Sequence, residues 1–243
     1  MSKSSQTSLD EATRDRVVLL HGIARTSRSL KKLERALQGA GFTTLNIDYA
    51  SRRKPIAALV DDIHPAIERF SAASNAPLHF VAHSMGGLLV RAYIAKYRPA
   101  QLARVVMLGT PNGGSEVADL VSRTMLYRAF YGPAGLELTT EYAREFRSLP
   151  APDYPVGIIA GNRFIDPLAG IFVMPKPSDG RVSVRSSMIE GMTDHIVVKT
   201  CHPGLPLNAV AIEQTIAFLR LGRFQRSLSP QDSAQPPPRR SCA

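Results

Sequence analysis

At 243 residues, with 44% hydrophobic and 21% charged side chains, the chain can bury a sizeable core and differs in composition from disordered, fibrous and disulfide-scaffold proteins. Its net charge of +10 favours nonspecific contact with nucleic acid or anionic membrane. However, the five Arg and one Asp of residues 220–243 put +4 of it in or beside a tail, and Arg28, Lys31, Lys32 and Arg35 have the spacing of one solvated helix face. With no recognised binding motif or aromatic platform, nucleic acid is excluded as a partner, and the basic residues leave room only for weak contact with a membrane surface.

Residues 1–15 are polar and read as a flexible leader, without the apolar run of a secretory signal or membrane anchor, so a cytoplasmic location is expected. Val17 to Leu20 form a short apolar run suited to a strand buried on both faces. A helix follows, with Ser27 able to cap it and Leu30, Leu33 and Leu37 on one face, until Gly39 and Gly41 stop it. Phe42 to Tyr49 favours a second strand. Ile56, Leu59, Val60, Ile63, Ile67 and Phe70 predict a helix that Pro65 kinks or restarts. Leu78 to His83 is strand-like, Gly86 to Tyr97 helical, and Arg104 to Leu108 and Val156 to Ala160 are further buried strands. Residues 115–150 break the alternation with two helical stretches rich in Tyr, Phe and Leu and read as an inserted cap or lid. Ile196 to Thr200 predicts the last strand and Ala209 to Leu221 a closing helix ended by Gly222. The basic, Pro-rich residues 225–243 are expected to be disordered. One α/β domain over 16–224 results, with a mostly parallel sheet covered by helices on both faces. Cys201 and Cys242 are expected as free thiols.

The stretch Leu78-His79-Phe80-Val81-Ala82-His83-Ser84-Met85-Gly86-Gly87 carries the chemistry. An apolar strand runs into a small-x-Ser-x-Gly turn and then an apolar helix, which is the setting a nucleophile elbow requires. Small residues flank the serine so that strand and helix can approach, and the helix N-terminus points N–H groups at developing negative charge. The competing role for Ser84 is a simple helix cap.

With these residues in view, 16–224 resembles the lipase and esterase branch of the α/β-hydrolase superfamily. Val17-Val18-Leu19-Leu20-His21-Gly22-Ile23 is similar to its strand and His-Gly oxyanion loop, Ala82 to Gly87 to its elbow, and Gly109-Thr110-Pro111-Asn112-Gly113-Gly114-Ser115 to its Gly-Thr-Pro-x-x-Gly-Ser segment leading into a lid. The resemblance implies an α/β-hydrolase fold, Ser84 as nucleophile, and the backbone N–H groups of Ile23 and Met85 as an oxyanion hole. The family's chain order restricts the base to His195 or His202. His202 is favoured, on the loop at a strand's carboxyl end. His21 is expected to shape its loop. The acid is Asp166 or Asp179, and the Asp179-Gly180-Arg181-Val182 pattern, similar to Asp-Gly-x-Val in related lipases, favours Asp179. Met125, Leu126, Tyr127, Phe130 and Tyr131 are candidates for contact with an acyl chain, against the alternative that they pack on the domain. The implied substrate is a small-molecule or lipid ester, with no cofactor and no metal. Acyl transfer, thioester cleavage and a catalytically inactive binding module are the other readings.

Overall fold

The computed structural model describes residues 13–115, 118–119, 122, 125–139, 146, 149–163 and 177–226, with backbone alone over 125–130. Within these lie β1 (Arg16–Leu20), β2 (Thr43–Ile47), β3 (Leu78–His83), β4 (Leu102–Leu108), β5 (Val156–Gly161) and β6 (Asp194–Val198), all parallel in the order β2-β1-β3-β4-β5-β6. The helices are α1 (Lys31–Gly39, preceded by a 3-10 turn over Ser27–Leu30), α2 (Ile56–Ala72), α3 (Met85–Tyr97), α4 (Met125–Leu136), the single turn α5 (Val184–Ser187) and α6 (Ala209–Leu221).

Strand periodicity divides the core in two. Val18 and Leu20 of β1 pack with Ile56, Leu59 and Ile63 of α2 and Leu88 and Leu89 of α3 on one face. Val17 and Leu19 join Leu33 and Leu37 of α1 and Phe218 and Leu219 of α6 on the other. Successive strand side chains point to opposite faces, so four consecutive apolar residues in β1 serve two cores at once. Each such aliphatic or aromatic side chain, when fully buried, contributes about 1.5–3 kcal/mol.

The chain leaves β1 through α1 towards β2, then crosses back through α2 to β3 on β1's other side. The sheet therefore changes winding direction between the carboxyl ends of β1 and β3, where crevices form in open α/β sheets.

Several local expectations shift. Ser27 does not cap a helix: its N–H and hydroxyl both donate to the Asp48 carboxylate, at 2.6 and 2.9 Å. Of the two expectations for Pro65, a restart is not seen: α2 runs from Ile56 to Ala72 with the proline inside it. A mid-helix proline costs about 3 kcal/mol, and the burial of Ile56, Leu59, Val60, Ile63 and Ile67 outweighs it. The last strand spans Asp194–Val198, two residues earlier than its apolar run suggests. Gly222 ends α6 in the left-handed conformation, at φ 71°. Arg28, Lys31, Lys32 and Arg35 are all exposed.

Between β4 and β5, α4 breaks at Gly132, whose φ is 63°. A Cβ there would sit 1.7 Å from the Arg52 carbonyl oxygen, so only glycine lets the insertion approach this closely. A few residues on, a Glu137 carboxylate oxygen accepts from the Ile56 N–H at 2.8 Å and so caps α2 from outside. Past α6, Gln225 exchanges two hydrogen bonds with Gln214 and Arg226 pairs with Asp194, so the chain is tied to the body as far as residue 226.

Candidate active site

β3 delivers Ser84 to its carboxyl end, and the backbone turns sharply there: Ser84 has φ 55° and ψ −127°, and α3 begins at the next residue. A non-glycine residue in such a conformation stores about 1–3 kcal/mol of strain, which its surroundings must hold in place. They do so through the sheet and the glycines. The Ser84 N–H donates to the Leu108 carbonyl at 2.9 Å. A Cβ on Gly86 would lie 2.5 Å from the Leu20 carbonyl oxygen, and one on Gly87 2.0 Å from Thr110 Oγ1. The Gly-Gly pair after the serine is thus what lets α3 sit against β1 and the segment after β4.

Asp179 occupies a tight loop closed by the Ser178–Ser183 bridge. Its Oδ1 accepts from the backbone N–H groups of Val182 at 2.9 Å and Arg181 at 3.0 Å. Oδ2 lies 2.7 Å from His202 Nδ1. A carboxylate only accepts, so Nδ1 carries the hydrogen, and the neutral ring keeps a lone pair on Nε2. That lone pair faces Ser84 Oγ at 2.9 Å. The His202 N–H also donates to the Asp179 carbonyl at 3.0 Å, locking the two loops together. Ser84, Asp179 and His202 are 6%, 2% and 5% exposed, so the row is almost wholly shielded from water.

Neighbouring groups brace this row. His83 Nε2–H donates to the His202 carbonyl at 3.0 Å. Burial, reinforced by the positive field of Arg25 and Arg181, holds the His83 pKa well below the ordinary imidazole range and keeps the ring neutral. His21 stacks on Tyr49 with ring centres 4.1 Å apart, and its Nδ1–H donates to the Gly22 carbonyl at 2.8 Å. Burial lowers its pKa as well, and its contacts are those of a residue shaping the loop that carries Ile23.

Two cavities meet at Ser84 and share Ile23, Tyr131, Arg181 and His202. One, about 50 Å³, is bounded largely by apolar groups of Pro111, Ala118, Leu138 and Val182. The other, about 240 Å³, is bounded by Gly22, Ala24, Arg25 and His83.

The structure therefore brings together Ser84, His202, Asp179, Ile23, Tyr131 and, directly after the serine, Met85. It does not bring His195 there: His195 pairs with Ile158 near the start of β6, three residues before the strand's carboxyl end. Asp166, Cys242 and the side chains of Met125, Leu126, Tyr127 and Phe130 lie outside the described residues. Sequence reasoning missed the part played by the Gly-Thr-Pro segment in binding the acidic loop. Gly113 N–H donates to the Ser186 carbonyl at 2.7 Å, Asn112 Nδ2 to the Ser187 carbonyl at 2.7 Å and Ser115 Oγ to the Arg181 carbonyl at 2.8 Å. It also missed Arg25 and Arg181 at the cavity. Their only local signal is position, two residues after Ile23 and two after Asp179.

Comparison with known proteins agrees with this architecture. The profile of the family described as serine aminopeptidase, S33, matches residues 11–128. Triacylglycerol lipases of Pseudarthrobacter phenanthrenivorans and Burkholderia plantarii are each 31% identical over 119 residues, which is 45% of this chain and 37% and 33% of theirs. The match thus spans about a third of the length of those curated relatives. Among solved structures, a mature lipase of Bacillus licheniformis superposes with a TM-score of 0.69 at 19% identity, covering 87% of this chain and 92% of that one. Sheet order and the likeness to the solved lipase show the α/β-hydrolase fold, with Ser84 at its strand-to-helix corner. The chain is similar to the lipase and esterase branch of the α/β-hydrolase superfamily, in sequence over its first half and in fold over most of its length.

Proposed function

We propose that the chain is a serine hydrolase that cleaves carboxylic esters through an acyl-enzyme on Ser84. One observation carries this reading: Ser84 Oγ, held at a strained strand-to-helix corner, lies 2.9 Å from His202 Nε2, whose Nδ1 lies 2.7 Å from Asp179. A serine hydroxyl is a weak nucleophile until a base takes its proton, and this row supplies the base already in the required tautomer. Ser84 Oγ attacks the ester carbonyl carbon while its proton passes to His202 Nε2. Asp179 stabilises the imidazolium that forms. The carbonyl oxygen becomes an oxyanion received by the Ile23 and Met85 N–H groups, the second aided by the start of α3. Each such donor typically contributes about 3–4 kcal/mol of barrier lowering. His202 then protonates the departing alcohol, and a water activated by the same imidazole releases the acid from Ser84. Residues 115–150 act as a cap over this chemistry, which is supported by Ala118, Tyr131 and Leu138 bordering the cavity at Ser84.

A panel of p-nitrophenyl esters of increasing chain length, with the matching p-nitroanilides as the amide arm, tests the reading. Hydrolysis of short esters is expected, with Ser84→Ala inactive and still folded and an organophosphonate adding at Ser84 alone. Turnover retained by Ser84→Ala would refute the mechanism.

A further inference from the structure

The two cavities at Ser84 differ in what they can bind. Both are small beside the roughly 300–1,000 Å³ of a site for a drug-sized ligand. The apolar one, about 50 Å³ between Pro111, Leu138 and Val182, accommodates a short acyl chain. The larger, about 240 Å³, adds Arg25 to the Arg181 that both cavities share, and has no carboxylate among its described lining residues. Four surface cations elsewhere do pair with carboxylates: Lys54 with Asp62, Lys96 with Asp61, Arg98 with Asp153 and Arg226 with Asp194. Arg25 and Arg181 have no carboxylate partner among the described residues.

Two acidic groups on the loops around the site are already engaged among the described residues. Asp48 accepts the N–H and hydroxyl of Ser27, and Asp179 accepts from His202 and from two backbone N–H groups. The backbones that carry the two arginines are held firmly. The Arg25 N–H closes a turn onto the Gly22 carbonyl at 3.2 Å, just after Ala24, whose φ is 54°. Arg181 is held by its N–H on Asp179, by its carbonyl on Ser115 Oγ and by a guanidinium N–H donated to the Tyr131 hydroxyl at 3.2 Å. Their field reaches inward, since both help to disfavour a proton on His83. Two guanidinium-bearing residues beside a reacting centre, with no carboxylate among the described lining residues, suit a planar or tetrahedral anion held by charge-assisted hydrogen bonds.

We infer that Arg25 and Arg181 recognise an anionic group on the alcohol portion of the substrate, so that the preferred esters pair a short acyl chain with a carboxylate- or phosphate-bearing alcohol. The inference rests on the esterase reading above, and its test separates the two.

Three acetate esters of matched shape serve as probes: 4-acetoxybenzamide, 4-acetoxybenzoate and 4-acetoxyphenyl phosphate, each corrected for spontaneous hydrolysis. The expected result is a kcat/KM for at least one anionic ester about tenfold or more above the amide at low ionic strength. That ratio should fall towards one in the double variant Arg25→Gln/Arg181→Gln and at high salt, with the larger gain identifying carboxylate or phosphate as the recognised group. In parallel, calorimetric titration of 4-hydroxybenzoate, 4-hydroxyphenyl phosphate and 4-hydroxybenzamide into Ser84→Ala reads binding without turnover. Preference for an anion that the double variant loses supports the pair even if no ester is cleaved, in which case the esterase reading falls alone. A wild-type ratio near one, or one unmoved by the double variant, overturns the inference while leaving ester hydrolysis standing.

Discussion

Replacing Asp179 by Asn tests the proposed orienting role through a single proton. Asp179 Oδ1 accepts two backbone N–H groups, at 2.9 and 3.0 Å, so in the Asp179→Asn variant the amide oxygen must occupy that position, because an amino group there would face two donors. The amino group is then forced onto the Oδ2 site, 2.7 Å from His202 Nδ1. An amino group donates, so Nδ1 becomes the acceptor and the ring's hydrogen moves to Nε2, 2.9 Å from Ser84 Oγ. The imidazole can no longer take the serine proton, although every heavy atom stays in place. In the best-studied serine protease the corresponding change lowers kcat by about ten-thousandfold, equivalent to about 5 kcal/mol of barrier. We expect a loss approaching that size in kcat on a short p-nitrophenyl ester, with KM little changed, far slower labelling of Ser84 by an organophosphonate, and an unaltered circular dichroism spectrum. Asp166→Asn should remain near normal. A kcat for Asp179→Asn within tenfold of wild type would refute the argument.

Gly86→Ala should destabilise the fold by about 1–3 kcal/mol, since its Cβ would stand 2.5 Å from the Leu20 carbonyl oxygen and 2.7 Å from that of His21. Gly39→Ala, with nothing within 4 Å, should not, and differential scanning calorimetry of the pair decides the matter. His83 is held neutral by burial, so its folded-state pKa lies below its unfolded value. The unfolded chain then binds the extra proton, and His83's contribution to stability is full above about pH 6.5 and declines as pH falls below it, by up to about 1.4 kcal/mol per pH unit. Urea midpoints at pH 7, 6 and 5 should show this slope in the wild type and a shallower one in His83→Gln, and equal slopes would contradict it. Deleting residues 227–243, beyond the Arg226–Asp194 pair, should leave turnover of soluble esters unchanged, and a loss of activity would show that the tail contributes to the domain.

Much of the fold was legible in the chain because it is written in local patterns. Four apolar residues in a row at Val17–Leu20, and the Val105–Leu108 and Val156–Ala160 runs, suit strands covered on both faces, and strands alternating with amphipathic helices make a parallel sheet. The Ser84 corner was equally readable, since a strand, a small-x-Ser-x-Gly turn and the start of a helix lie within ten consecutive residues. Local signals failed where a distant group competed for the same atoms. Ser27 has the chemistry of a helix cap, yet Asp48, 21 residues on, offers its N–H and hydroxyl a carboxylate instead. Pro65 is a helix breaker by its own chemistry, and only the apolar face packed against β1 and α3 keeps α2 in one piece. Residue order could narrow the base to two histidines and the acid to two aspartates. The meeting of Ser84, His202 and Asp179 within 3 Å, across 118 and 23 residues of chain, is a property of the assembled sheet. So is the convergence of Arg25 and Arg181, which stand 156 positions apart in the sequence and face one cavity only because β1 and the acidic loop end beside each other. Hydrophobic periodicity is a property of neighbours along the chain, whereas charge and proton chemistry depend on which loops the fold brings to the same end of the sheet.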